Sequence, residues 1–226
     1  MNFRLGVIGL FAVASLMVSC TSFSTVRSAV VTPGSAFTAQ TTIASPPGDA
    51  AAWFWTYDCV YECNHAIVAG DAVYAYGKGN GTRRPFALGG GLNGVFPYVE
   101  AYVQLDTSHS RPFGIGVRGG IPVSGWMEHQ LYARYDIVTK SGRRFLWNPG
   151  VFYHGGHAPN GENPGTFVGV VQGFGIEVQA DGYVLTPSLA AVWGRTERKS
   201  YSETIGPAYT IFATAGVSVS FRHRER

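Results

Sequence analysis

The chain predicts an all-β fold, an antiparallel up-and-down transmembrane β-barrel of about ten strands, with eight as the alternative count. Three observations lead there. In the stretch Thr210 to Phe221, Ile211, Ala213, Ala215, Val217, Val219 and Phe221 share one face of a two-residue period. Thr210, Phe212, Thr214, Gly216, Ser218 and Ser220 share the other, so one side is apolar and the opposite side small and mostly polar. Such a strand suits lipid outside and a wetter interior. Composition is the second observation. Only 14% of residues are charged, against about 25% in an ordinary soluble domain. The third is a hairpin rhythm in which long connections fall only on odd positions and every even connection is tight.

Taken in order, the strand candidates are Ser35–Ala44, Ile67–Gly77, Pro85–Leu92, Tyr98–Leu105 and Pro112–Gly120. Glu128–Val138, Arg144–His154, Phe167–Gln179, Tyr183–Trp193 and Tyr209–Phe221 complete the set. Connections such as Asn93-Gly94, Asp106 to Arg111 and Ala180-Asp181-Gly182 carry the Gly, Asn, Asp and Ser that turns require. The first connection (45–66), the seventh (155–166) and the ninth (194–208) are long. The second, fourth, sixth and eighth are turns, the last of them only Ala180-Asp181-Gly182. After residue 20 no apolar run approaches the roughly 18 residues of a helical span.

The spacing Thr214-x-Gly216-x-x-Val219-x-Phe221 resembles the C-terminal assembly signal of bacterial outer-membrane β-barrels, with Arg222 to Arg226 as an added basic tail. The other end agrees. Arg4 precedes the apolar run Leu5 to Val18, too short to span a bilayer and matched to a signal peptide. Leu16-Met17-Val18-Ser19-Cys20 resembles the lipobox of bacterial lipoproteins. The resemblances imply cleavage before Cys20, a diacylglycerol on its thiol, and recognition of the last strand by the outer-membrane assembly machinery. The organisation expected is a signal peptide (1–19), a tether (20–34), a barrel (35–221) and a basic tail (222–226). An even strand number places both barrel ends on the periplasmic side, with the lipid of Cys20 in the inner leaflet of the outer membrane. Outer-membrane lipid is the expected partner. A net charge of +3 with no basic stripe does not point to nucleic acid, and oligomeric state is not legible.

Inside a narrow barrel, charges must face inward and find partners. The inward sets give a polar network of Glu100, Gln104, Arg118, Gln130, Arg134, Asp136 and Asn148. Across the turn 106–111, partners sum to about 218, which sets Glu100 opposite Arg118. Across the sixth connection the same arithmetic sets Asp136 opposite Asn148. Aromatic residues near strand ends, namely Tyr74, Tyr76, Phe96, Tyr98, Trp126, Phe145, Trp147 and Trp193, read as interfacial girdles. Gln172 interrupts the apolar side of the eighth strand. Arg83-Arg84 and Arg143-Arg144 read as exposed turn charges.

Cys59 and Cys63 are expected to pair locally in an exported chain. They would pin Trp53, Phe54, Trp55 and Tyr57, which fold over the mouth or offer a binding surface. Outer-membrane phospholipases and lipid A deacylases carry a His-x-Ser-Asn type motif; His157-x-Pro159-Asn160 is similar but has proline where the nucleophile belongs. Neither a catalytic constellation, nor a metal site, nor a cofactor is therefore expected, His154, His157 and Glu162 notwithstanding. The function expected is an outer-membrane β-barrel lipoprotein of structural or narrow-transport role. The alternatives are a periplasmic lipid-anchored, lipocalin-like binding barrel, and an outer-membrane lipid hydrolase.

Overall fold

The computed structural model describes residues 26–44, 67–78, 84–93, 96–121, 126–156, 166–199 and 204–223. The expected Cys20 lipid site, the Cys59–Cys63 pair, the aromatic run Trp53 to Tyr57, and the His157 to Glu162 segment lie outside them. The described chain forms ten strands. They are β1 (Gly34–Ala44), β2 (Ile67–Lys78), β3 (Phe86–Asn93), β4 (Phe96–Asp106) and β5 (Phe113–Gly120), then β6 (Trp126–Val138), β7 (Arg144–Gly156), β8 (Thr166–Ala180), β9 (Tyr183–Lys199) and β10 (Thr204–His223). Every strand pairs antiparallel with its chain neighbours, and β1 closes on β10 from Ser35↔His223 to Ala44↔Thr214. The product is a closed, up-and-down barrel with no open edge.

Alternation sorts the two faces as the sequence predicts. Leu88, Val99, Ile115, Val117, Leu131, Val151, Phe174, Leu189 and Ile211 stand exposed outside, while Glu100, Arg118, Arg134 and Asp136 are buried within. Val219 and its register partner Ala39 depart from the pattern, being buried although they share the outward parity of Val217. Among the strand residues whose exposure is described, Lys78, Asp106 and Arg195 are exposed charges, each towards a strand end.

Local turn chemistry sets the registers. The two-residue turn Asp181-Gly182 has Gly182 at φ 85°, the left-handed geometry that a tight hairpin asks of its second residue. In the sixth connection the Thr139 N–H donates to the Arg143 carbonyl at 2.9 Å, leaving a three-residue loop, and Val138 meets Arg144. That turn is tighter than the sequence arithmetic assumed. Asp136 consequently lies opposite Leu146, not Asn148.

The ninth connection is also corrected. β9 and β10 run on as a hairpin to Lys199 and Thr204, so only 200–203 connects them. A register shift between Ile205 and Ala208 brackets Pro207, which has no N–H to give the ladder.

Residues 26–33, the end of the segment expected to be a tether, lie inside the barrel. Val26 and Ala29 are almost fully buried. Chain polarity carries the segment from within the lumen towards the end bearing the β2–β3, β4–β5, β6–β7 and β8–β9 turns. It reverses there at Gly34, whose φ of 92° is open to glycine at little cost, and enters β1.

Candidate functional site

The site is the filled lumen. It is built from inward residues of the strands and from the segment that they hold. Arg27 is its centre. The Arg27 guanidinium donates from Nη1 to Glu100 Oε1 at 2.5 Å and from Nη2 to the Tyr98 hydroxyl at 3.4 Å. It also stands 3.8 Å from Asp71. Its backbone N–H donates to Asn148 Oδ1 at 2.7 Å.

The wall reads the rest of the segment's backbone in the same way. Asp136 accepts from the Ser28 hydroxyl at 2.6 Å and from the Ala29 N–H at 2.8 Å. Tyr102 donates its hydroxyl to the Ala29 carbonyl at 2.8 Å, and Gln104 accepts from the Val31 N–H at 3.0 Å. A buried backbone needs such partners, and here the wall's side chains take the place of a neighbouring strand. Thr32 passes so close to β2 that a Cβ on Gly77 would stand 2.3 Å from its carbonyl oxygen.

Around this line the wall is charged and aromatic. Arg118 lies 3.1 Å from Asp71 and 3.8 Å from Glu100, and it stacks over the Tyr98 ring at 4.1 Å from the centroid. Tyr98 also donates its hydroxyl to Asp71 at 2.9 Å. Arg134 sits over the rings of Tyr102 and Tyr132, which are nearly parallel with centroids 6.3 Å apart. Glycine makes room for these rings. A Cβ on Gly114 or Gly116 would collide with Tyr102 or Tyr132. Nearer the turns, Arg144 bridges Asp136 at 2.9 Å and Glu177 at 3.3 Å. Towards the opposite end, Asn93 donates to Glu128 at 2.8 Å, with His154 facing Glu128 across the β6–β7 ladder.

All seven residues of the sequence-predicted network, Glu100, Gln104, Arg118, Gln130, Arg134, Asp136 and Asn148, are buried. Glu100 lies opposite Arg118 in the predicted register. The expected strong pair is nevertheless divided. Glu100 makes its shortest ion pair with Arg27, and Arg118 makes its shortest with Asp71. Asp136 and Asn148 are brought together only through the segment, by way of Ser28, Ala29 and Arg27.

Two other expectations change. Tyr98 points inward and is no girdle residue, and Arg144 turns into the lumen whereas Arg143 stays exposed. The oddity at Gln172 has an explanation. Its Oε1 accepts from the Trp147 indole at 2.8 Å, a bond between outer-face side chains of β7 and β8. The side chains of Phe96 and Trp126 lie outside the described set, whereas Tyr74, Tyr76, Phe145, Trp147 and Trp193 are all exposed.

Sequence reasoning passed over Arg27, Ser28, Asp71, Glu128, Arg144 and Glu177. A signal existed. Val26-Arg27-Ser28-Ala29-Val30-Val31 sets one guanidinium in an apolar stretch, an odd composition for a solvated tether. Asp71 shares the inward parity of Val73 in β2. Among the described residues no group of three or more His, Cys, Asp or Glu is placed to hold a metal ion. Comparison with protein-family models and with curated proteins finds no match.

Proposed function

We propose that the protein is an outer-membrane β-barrel lipoprotein of structural or narrow-transport role, without enzymatic activity. The distribution of polarity carries this reading. A closed barrel presents Leu, Ile, Val and Phe around its outside and keeps its carboxylates and guanidiniums within. A soluble barrel of the lipocalin kind needs the reverse, a polar exterior and an apolar cavity. Exposed aromatics such as Tyr74, Tyr76, Trp147, Trp193 and Tyr209 fit interfacial belts on the same outer surface. The outer membrane, its lipid and its assembly machinery follow from the leader and the terminal strand, and Cys20 carries the anchor.

The test is fractionation combined with gel migration. Protein from outer-membrane fractions, solubilised in detergent and left unboiled, should migrate differently from the boiled protein. A band unmoved by heat, with solubility once the lipid is removed, overturns the reading in favour of a periplasmic barrel. Mass spectrometry should find acyl mass on a first peptide beginning at Cys20. Cys59 and Cys63 should resist alkylation until reduced, as one local disulfide shaping the first loop.

A further inference from the structure

We infer that residues 26–33 are a built-in plug, and that the barrel behind them is a narrow conduit that prefers small cations. This inference rests on the membrane-barrel reading and adds a solute class and a means of closure to it.

The first ground is how the segment is held. The lumen does not merely contain it. Asn148, Asp136, Tyr102 and Gln104 each bond a backbone group of the segment, and Glu100 bonds its one charged side chain. None of the segment's residues belongs to a strand of the barrel, which closes through β1 and β10 without it. A structural strut could be joined to the wall by packing alone. This one packs Val31 against Tyr102 and Tyr132, and it is also held through polar contacts at Arg27, Ser28, Ala29 and Val31, the kind that can be exchanged for water.

The second ground is space. A cavity of about 90 Å³ already adjoins the segment, lined on one side by Ala36, Thr38, Val73, Ala75, Ser218 and Ser220 and on the other by Glu100, Tyr102, Arg134 and Glu177. On the β1–β2–β10 side the lining side chains are small, so moving the segment would enlarge this cavity there. The bulky tyrosines and arginines stand on β4 to β6.

The third ground is charge. Asp71, Glu100, Glu128, Asp136 and Glu177 face the lumen, against Arg27, Arg118, Arg134 and Arg144. The segment contributes one of those guanidiniums and no carboxylate. Among the described residues its departure leaves five carboxylates facing three guanidiniums, and a narrow lumen with low-dielectric walls focuses that excess onto passing ions.

The experiment uses the full mature chain in lipid vesicles and planar bilayers. Wild type should pass almost no potassium. Arg27→Gln combined with Ser28→Ala keeps the chain but loosens its hold, and should raise potassium flux at least about tenfold, the scale of one lost charge-assisted bond. Under a potassium chloride gradient the reversal potential should show preference for potassium over chloride.

Adding Val26→Cys and Gly175→Cys supplies an internal switch, because a Cβ on Gly175 would lie 2.9 Å from Val26 Cγ1. The oxidised staple should silence the loosened protein and reductant should restore its flux. Should the double variant fail to refold, Arg27→Lys, which keeps the charge but not the fork, is expected to raise flux several-fold.

Folded, heat-modifiable variants with wild-type flux overturn the plug while leaving the membrane barrel standing. A wild type that conducts freely does the same. Chloride preference overturns the solute class. A protein that never inserts into vesicles overturns the inference and the membrane reading together.

Discussion

On the β4–β6 side the lumen is filled by Tyr98, Tyr102, Tyr132, Arg118, Arg134 and Glu100; on the β7–β9 side its upper part is lined by Phe152, Phe167, Val171 and Val192. In the second set the strands' own apolar side chains meet one another. Phe152 and Phe167 meet edge to face at 4.9 Å, each resting in a hollow where Gly169 or Gly194 leaves no room for a Cβ. The first set is incomplete until Arg27 arrives, because Glu100 finds its shortest ion pair there and Asp136 accepts two bonds from Ser28 and Ala29. Apolar packing inside a barrel can be finished by the strands alone. A charged interior leaves bonding capacity that another piece of chain can occupy.

Substitutions can break or sharpen that contrast. The largest effect is expected at Glu100→Gln, which removes the carboxylate shared by Arg27, Arg118 and Arg134. Loss of one partner from a buried ion pair costs about 3–5 kcal/mol. Equilibrium unfolding of the refolded protein in urea should read it, and a cost below about 1 kcal/mol would mean that the polar half does not depend on its charges. On the apolar side, Val192→Ala removes two methyl groups from a fully buried site and should cost about 2 kcal/mol, with the segment still held. A Val26–Gly175 staple that no longer forms in that variant would show the two halves to be coupled.

Gly34→Ala should cost roughly 1–2 kcal/mol, since φ of 92° is a poor conformation for a residue with a Cβ. The smallest effect is set for Glu203→Gln in the β9–β10 connection, within about 0.5 kcal/mol of wild type. A large loss there would count against the ranking of lumen over connection.

Much of this was legible one strand at a time. A two-residue period reports which face a side chain occupies, so the apolar exterior, the polar interior and the pairing of Glu100 with Arg118 could be read from Tyr98–Leu105 and Pro112–Gly120 alone. Turn residues reported where hairpins close. Register was less secure wherever a turn's type mattered, as at Thr139–Arg143, where one tighter turn moved Asp136 two residues along β7, from Asn148 to Leu146.

What the sequence could determine by itself was therefore the barrel, its two faces and most of the residues that line it, because these follow from local periodicity and turn chemistry. Only the tertiary structure decided that residues 26–33 fill the lumen, that Arg27 makes the closer ion pair with Glu100 while Arg118 keeps the longer one, and that Arg144 joins Asp136 to Glu177. The physical reason is distance along the chain. Arg27 and Glu100 are 73 residues apart, and Arg27 and Asn148 121 apart. A segment with no period of its own carries no local mark of the surface that will bind it. Its bonds exist only after ten strands have closed around it and brought Asp71, Glu100, Asp136 and Asn148 to one space.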